Sequence, residues 1–254
     1  MNCSRTSLIF CCLFLAVLAC LAAHAQQPEP DLFAYGLPTA DYSLRGDFAL
    51  SFNGMSKCPR WTLEHLNAAK LKKHADREGI AFHVDKEIPE EFAASPQDYA
   101  GSGFDLGHAA AAANHARTET LLRGTFTVAN AMPQRPDLNR GAWKNLEASI
   151  RTEAEKKGVN VWVVTAPIYE PGRRLEAIGD SKVWIPHHCG KAVLIDDNGA
   201  LRIQAWIMSN ERCSEPLSAY AVTVDTFERR AGIDVYAALN DATEKRLEAA
   251  APGQ

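Results

Sequence analysis

No C-x-x-C pair and no H-E-x-x-H run occurs anywhere in the chain, so a structural zinc cluster and a zincin-type metal helix both lack their ligands. Repeats of 20–50 residues and long low-complexity tracts are also missing, which excludes solenoids, propellers and a largely disordered chain. Positive charge is not in excess. The formal net charge is −4, and tight binding of a polyanion through bulk charge is therefore excluded. Cysteine is scarce beyond the first 25 residues: Cys3, Cys11, Cys12 and Cys20 lie within them, and only Cys58, Cys189 and Cys213 follow. In an exported chain that odd remainder allows one disulfide, with Cys189–Cys213 the expected pair, and one buried thiol.

What is present is ordinary globular composition. A chain of 254 residues, 46% hydrophobic and 23% charged, can bury a substantial core as one domain of α+β or α/β type. Its start reads as a leader. Arg5 precedes an apolar run, Ser7 to Ala23, which ends in Ala23-His24-Ala25. A basic start, apolar middle and A-x-A end predict a secretory signal peptide over 1–25 and hence a secreted or periplasmic protein. Val17-Leu18-Ala19-Cys20 is an imperfect lipoprotein box, so a lipid anchor at Cys20 is the lesser alternative. The run is short for a membrane span. Residues 26–40 read as a linker, 41–245 as the folded domain and 246–254 as a tail.

Within the domain, Leu44 to Phe52 and Trp61 to Leu66 alternate as strands around an Asn53-Gly54 turn. Thr125 to Ala129 and Val159 to Ala166 read as strands, as do Val183–Ile195 and Leu201–Met208. Residues 86–103, broken by Pro89, Pro96, Gly101 and Gly103, form a loop. Leu138 to Lys157 has helical spacing and ends at Gly158, and Asp225 caps a short helix ending near Gly232. Sheet plus one prominent central helix gives α+β.

Two segments carry chemistry. In Gly101-Ser102-Gly103-Phe104-Asp105-Leu106-Gly107-His108, a carboxylate sits three residues before an imidazole, where it could orient the ring or an ordered water. Gly107 permits close approach, and a neutral imidazole can take a proton from water. A lone histidine is more often structural, and His65, His74, His115, His187 and His188 are read that way. In the second segment Asn139, Trp143, Glu147 and Arg151 recur at i+4 on one side of a helix. An amide oxygen and a carboxylate so placed can share a hydrated hard cation, while Arg151 can pair with Glu147 or reach a phosphate. An amphipathic surface helix with Asn139 as its cap fits the same spacing. Between 117 and 144 the chain has a local excess of three positive charges, from Arg117, Arg123, Arg135, Arg140 and Lys144 against Glu119 and Asp137. On its own this run reads as a solvated face.

Together these segments make the chain recognisable. YSLRGDFALSFNGMSKCPRWTLEHL (42–66), GSGFDLGHAAAAANH (101–115), TFTVANAMPQ (125–134) and NRGAWKNLE (139–147) resemble, in order, the DNA/RNA non-specific endonucleases. Val161–Pro167 and Val224–Gly232 also have that family's character, so the resemblance spans most of the chain past the leader. It implies a ββα-metal nuclease fold: mixed or antiparallel sheets packed with a central metal-bearing helix. It further implies Mg²⁺-dependent, with Mn²⁺ as an alternative, hydrolysis of phosphodiester bonds in DNA and/or RNA, and a homodimer. Carried over, His108 is the general base and Asn139 the direct metal ligand. Asp105 and Glu147 hold metal-bound waters, and Arg151 grips the phosphate. Arg140 and Arg77 are further substrate contacts. The chain departs from the family's D-R-G-H pattern at Leu106, where a phosphate-contacting arginine is usual, and at Ala109. Loss of that guanidinium implies either a weakened nucleic-acid-binding member or replacement by Arg77, Arg123 or Arg140.

Overall fold

The structure, a computed structural model, describes residues 31–248. In chain order its strands are β1 (Ser43–Arg45), β2 (Phe48–Asn53), β3 (Cys58–Leu66), β4 (Asp105–His108), β5 (Ala131–Gln134), β6 (Val159–Ile168), β7 (Ala177–Ile178), β8 (Val183–Trp184), β9 (His188–Asp197), β10 (Ala200–Ser209) and β11 (Ala221–Val222). The α-helices are α1 (Glu119–Gly124), α2 (Lys144–Ala154), α3 (Val224–Ala231) and α4 (Asp241–Glu248). Seven strands form one antiparallel sheet in the order β1-β2-β3-β6-β9-β10-β11, and β4 pairs with β5 in a separate antiparallel ribbon.

Strand alternation sorts the sheet's side chains onto two faces, and both are covered. On β6 and β9, Val161, Val163, Val193 and Ile195 join Trp143, Leu146, Ile150 and Ala154 of the central helix in one buried cluster. Their neighbours Trp162, Val164, Ala192 and Leu194 join Val224 and Phe227 of α3 in the other. Each fully buried Val, Leu, Ile or Phe side chain contributes about 1.5–3 kcal/mol, so the first face fixes α2 against the sheet and the second fixes α3. Residues 32–37, expected to be linker, belong to this second layer. Leu32, Phe33, Tyr35 and Leu37 pack against it, and the Tyr35 hydroxyl donates to Asp196 at 3.1 Å. At the other end α4 runs beyond residue 245 and buries Leu247, so the expected tail begins later than 246.

Local chemistry accounts for the other departures. The stretch 44–52 is two strands rather than one, because Gly46 at φ +70 turns the chain between β1 and β2. Val183–Ile195 is also two strands. Pro186, which has no N–H to add to a ladder, lies in the gap between them. Thr125–Ala129 is not a strand at all. Phe126 and Val128 are buried, but Asn130 ties the segment into turns, its amide donating to the carbonyls of Thr125 and Ala110 and accepting from the Ala110 N–H. The strand lies just after it, at β5. The helix expected from Leu138 starts as a π-helical segment, Leu138–Trp143, interrupted at Gly141 (φ −107, ψ −112), and becomes regular at Lys144. Asp137, not Asn139, is the flanking residue, and Asn139 is freed from capping. Thr223 caps α3, its side chain accepting from the Thr226 N–H, while Asp225 sits inside the first turn; Gly232, left-handed, ends the helix. Cys58, Cys189 and Cys213 are free thiols, so the expected Cys189–Cys213 bond is not made.

Candidate active site

The β4–β5 ribbon and the helix after it form a ββα unit, and a cleft of about 660 Å³ opens between them. Seven of the residues singled out above line it: His108 and Asp105 from β4, Asn139 and Arg140 from the irregular turn, Glu147 and Arg151 from α2, and Arg77 from a preceding loop. Arg123 does not line it. That side chain pairs with Glu119 at 2.8 Å on α1.

The ribbon sits close to its own side chains. A Cβ at Gly107 would stand 2.0 Å from the Gln134 Oε1, so only glycine fits beside this partner on β5. The next residue, His108, is held between two aromatic rings, 4.6 Å from Phe82 and 4.8 Å from Phe126. Its Nε2 is buried without a hydrogen-bond partner. Burial, with the Arg77 cation and His115 nearby, lowers its pKa to about 3, so the ring is neutral at physiological pH. Asp105 does not orient this ring. Its Oδ2 accepts from the Asn139 Nδ2 and from the Arg140 Nε, both at 2.9 Å, and its Oδ1 from the Arg140 Nη2 at 2.6 Å. Burial raises the Asp105 pKa, but the hydrogen bonds from Arg140 and Asn139 outweigh it and hold the group below the usual carboxylate range.

That contact occupies one end of the Asn139 amide. With its nitrogen donating to Asp105, its oxygen is the end left for another ligand. Glu147 adds a buried Oε1 that accepts no hydrogen bond. Burial raises its pKa, the Lys191 ammonium 3.6 Å away opposes this, and Glu64 adds to the rise. An amide oxygen and an unsatisfied carboxylate oxygen form a hard-oxygen set suited to a cation that keeps most of its waters. Among the described residues no cluster of three or more His, Cys, Asp or Glu side chains could hold a metal by itself. Arg151 makes no ion pair with Glu147; its Nη1 donates to the Asn114 Oδ1 at 3.3 Å, which leaves the rest of the guanidinium for the cleft.

Beneath the cleft lies polar structure that the sequence reading missed. The register places Thr62, Thr165 and Lys191 side by side across β3, β6 and β9. The Lys191 Nζ, although buried, donates to the Thr165 Oγ1 at 2.7 Å and the Ala109 carbonyl at 3.2 Å, and lies 4.8 Å from the Trp143 ring. Next to this row, Glu64 is fully buried and accepts from the Asn114 Nδ2 at 2.8 Å, while its Oε1 meets the His115 Nε2 at 3.1 Å. The His115 Nδ1 faces Asp47. Burial lowers the His115 pKa, but Asp47 and Glu64 together raise it to about 9. A chain of contacts thus links Asp47, His115, Glu64 and Asn114 to Arg151. The available signal was a lysine inside an apolar strand and a glutamate at a core-facing position of β3.

The geometry gathers, on a ββα unit, one neutral imidazole, one amide, two carboxylates and several guanidinium groups around one cleft. The sequence profile of the DNA/RNA non-specific endonucleases matches residues 28–242, and the chain belongs to that family. It is 32% identical over 215 residues to the mitochondrial endonuclease G of Bos taurus, covering 80% of this chain and 72% of that protein. It is 31% identical over 228 residues to the mitochondrial nuclease EXOG of Xenopus laevis, covering 84% of this chain and 63% of the other. A solved structure described as the EndoG/EndoGI complex superposes with a TM-score of 0.80 at 31% identity, over 85% of this chain and 95% of that one. The fold is the ββα-metal nuclease fold and the chain is a nuclease that hydrolyses phosphodiester bonds. The expected secreted or periplasmic location, with lipidation at Cys20 as its alternative, is corrected by these relatives, which are mitochondrial nucleases. The leader that suggested it, 1–25, lies outside the described residues. Among the described residues no helix is long and apolar enough to cross a membrane.

Proposed function

We propose that the chain is an endonuclease of DNA and RNA with little sequence preference, in which His108 removes the proton from the attacking water and Asn139 holds Mg²⁺. The observation that carries this reading is convergence: His108 from the ribbon and Asn139, Glu147 and Arg151 from the segment after it face one cleft with two further arginines. His108 is neutral and its Nε2 is uncommitted, so its lone pair is available to a water. As that proton moves to the imidazole, the water oxygen bonds to phosphorus and the bond to the leaving oxygen breaks in line. Asp105 keeps the Asn139 amide oriented, and Glu147 holds water on the same side. Arg151, Arg140 and Arg77 stabilise the negative charge that grows on the phosphoryl oxygens. Mg²⁺, with Mn²⁺ as a substitute, would supply charge neutralisation at the same oxygens. Contacts directed to phosphate rather than to base edges support weak sequence preference.

Arg140 answers the question raised by Leu106. Leu106 packs partly buried against the central-helix cluster, whereas Arg140 extends into the cleft from Asp105, one residue from Leu106. We assign to Arg140 the phosphate contact that Leu106 does not make.

The test is digestion of plasmid and RNA by the purified chain with Mg²⁺ or Mn²⁺. His108→Ala should lower the rate by about 100- to 10,000-fold, the contribution typical of one base, and EDTA should abolish it. Retention of nucleic acid on a gel with no cleavage under either metal would replace this reading with that of a binding protein.

A further inference from the structure

The open end of the β4–β5 ribbon adjoins a second cavity of about 300 Å³, whose walls include Phe104, Arg135, Arg173, Arg174, Asn210 and His187. Its walls neighbour residues of the active-site cleft along the chain. Phe104 precedes Asp105, Arg135 follows the Gln134 that pairs with Asp105, and the Arg135 carbonyl accepts from the Asn139 N–H at 2.9 Å. The walls are built rather than incidental. Buried Asn210 donates to the Pro133 and Pro186 carbonyls at 2.8 and 2.9 Å and accepts from the Arg135 N–H at 2.9 Å. His187 pins the β6–β7 loop from below: its Nδ1 accepts from the Glu170 N–H at 2.9 Å, so its Nε2 donates to the Arg174 carbonyl at 3.1 Å. The Arg135 guanidinium stacks 4.5 Å over the Phe104 ring.

Some surface arginines are held by carboxylates. Arg117, Arg123 and Arg202 each pair with a carboxylate. By contrast no carboxylate lies within 4.0 Å of Arg135, Arg173 or Arg174 among the described residues, although Glu176 and Glu211 also line the cavity. Three exposed guanidinium groups without a carboxylate partner, gathered on pinned backbone beside the ribbon that carries Asp105, fit an anionic chain.

We propose that this cavity is a second phosphate-binding subsite, in which Arg173, Arg174 and Arg135 hold a backbone phosphate of the same nucleic-acid strand beyond the scissile one. The proposal rests on the nuclease reading above and gives it length dependence: a polynucleotide engages both cavities, a single diester only the first. Glu176 and Glu211 limit the affinity and favour release.

Arg173→Ala/Arg174→Ala on the full chain tests it, since both side chains are exposed on a loop. Binding of a 20-nucleotide strand is measured in the His108→Ala background, with and without the pair of changes, across salt concentration. The double change should weaken binding by about 10-fold and reduce the slope of log affinity against log salt by about 1–2. In the active background kcat/KM for a polynucleotide should fall similarly, while that for bis(p-nitrophenyl) phosphate stays within 2-fold. Glu176→Gln/Glu211→Gln should tighten binding, and Arg229→Ala, on α3, should change nothing. An unchanged affinity and slope in a chain that still digests polynucleotide overturns the subsite and leaves the nuclease reading intact. Equal loss on the small diester also overturns it, by assigning the arginines to the fold. A wild-type chain that digests neither substrate overturns both.

Discussion

Lys191→Met is the sharpest perturbation of the structure under the cleft. The ammonium lies 3.6 Å from the Glu147 Oε1, and the lysine side chain is 1% exposed and the glutamate 16%. At an effective dielectric of about 20, one ion pair at that separation amounts to about 5 kcal/mol. Breaking a buried pair by removing one partner costs about 3–5 kcal/mol, because the remaining charge stays buried. The Thr165 hydroxyl and the Ala109 carbonyl lose their donor at the same time. Methionine keeps the length of the side chain, so the effect is electrostatic rather than a cavity. Two assays follow. Denaturant unfolding should show Lys191→Met destabilised by about 3–5 kcal/mol, and Lys191→Met/Glu147→Gln should be less destabilised than the single change, since no charge is then stranded. The second assay is the pH–rate profile. Lys191 opposes the rise in the Glu147 pKa, so its loss must raise that pKa further and move the acidic limb of the profile upward. A destabilisation under about 1 kcal/mol with a fixed acidic limb would refute the claim that Lys191 holds Glu147 ionised.

Arg140→Ala should lower the hydrolysis rate by roughly 30- to 1,000-fold, equivalent to about 2–4 kcal/mol of lost charge stabilisation. Leu106→Arg added to it should restore a large part, and Leu106→Arg alone should change little; equal rates for Arg140→Ala and wild type would return the phosphate contact to another arginine. Stability should fall as pH rises, because the His115 pKa is raised from 6.5 to about 9 in the fold. The unfolded chain loses that proton first, so the contribution is complete below about 6.5 and disappears as pH passes 9. His115→Gln should flatten this limb of a melting-midpoint titration. Gly107→Ala puts a methyl group 2.0 Å from the Gln134 Oε1 and should cost about 1–3 kcal/mol, relieved in part by Gln134→Ala, as read by denaturant midpoint.

The main strands of the sheet were legible because β6 is a long apolar run and β10 alternates around Ile203, Ala205 and Ile207, and the central helix because Leu146, Ile150 and Ala154 keep helical spacing. The seven candidate residues were legible because their types and intervals within each short segment are set locally. Thr125–Ala129 shows where this fails: burial alone makes a segment apolar, and only the hydrogen bonds of Asn130 decide that it turns.

From the sequence alone came the family and the candidate residues His108, Asn139, Glu147 and Arg151, because their types and intervals are written within short segments. Tertiary structure alone decided which partner each side chain takes. Asp105 turned to Arg140 and Asn139 instead of His108, Arg151 turned to Asn114 instead of Glu147, and Lys191 reached Glu147 from a strand 44 positions further along. Such pairings are set by how sheet, ribbon and helix pack, and the low polarity of the resulting interior makes each charge depend on neighbours distant in the chain.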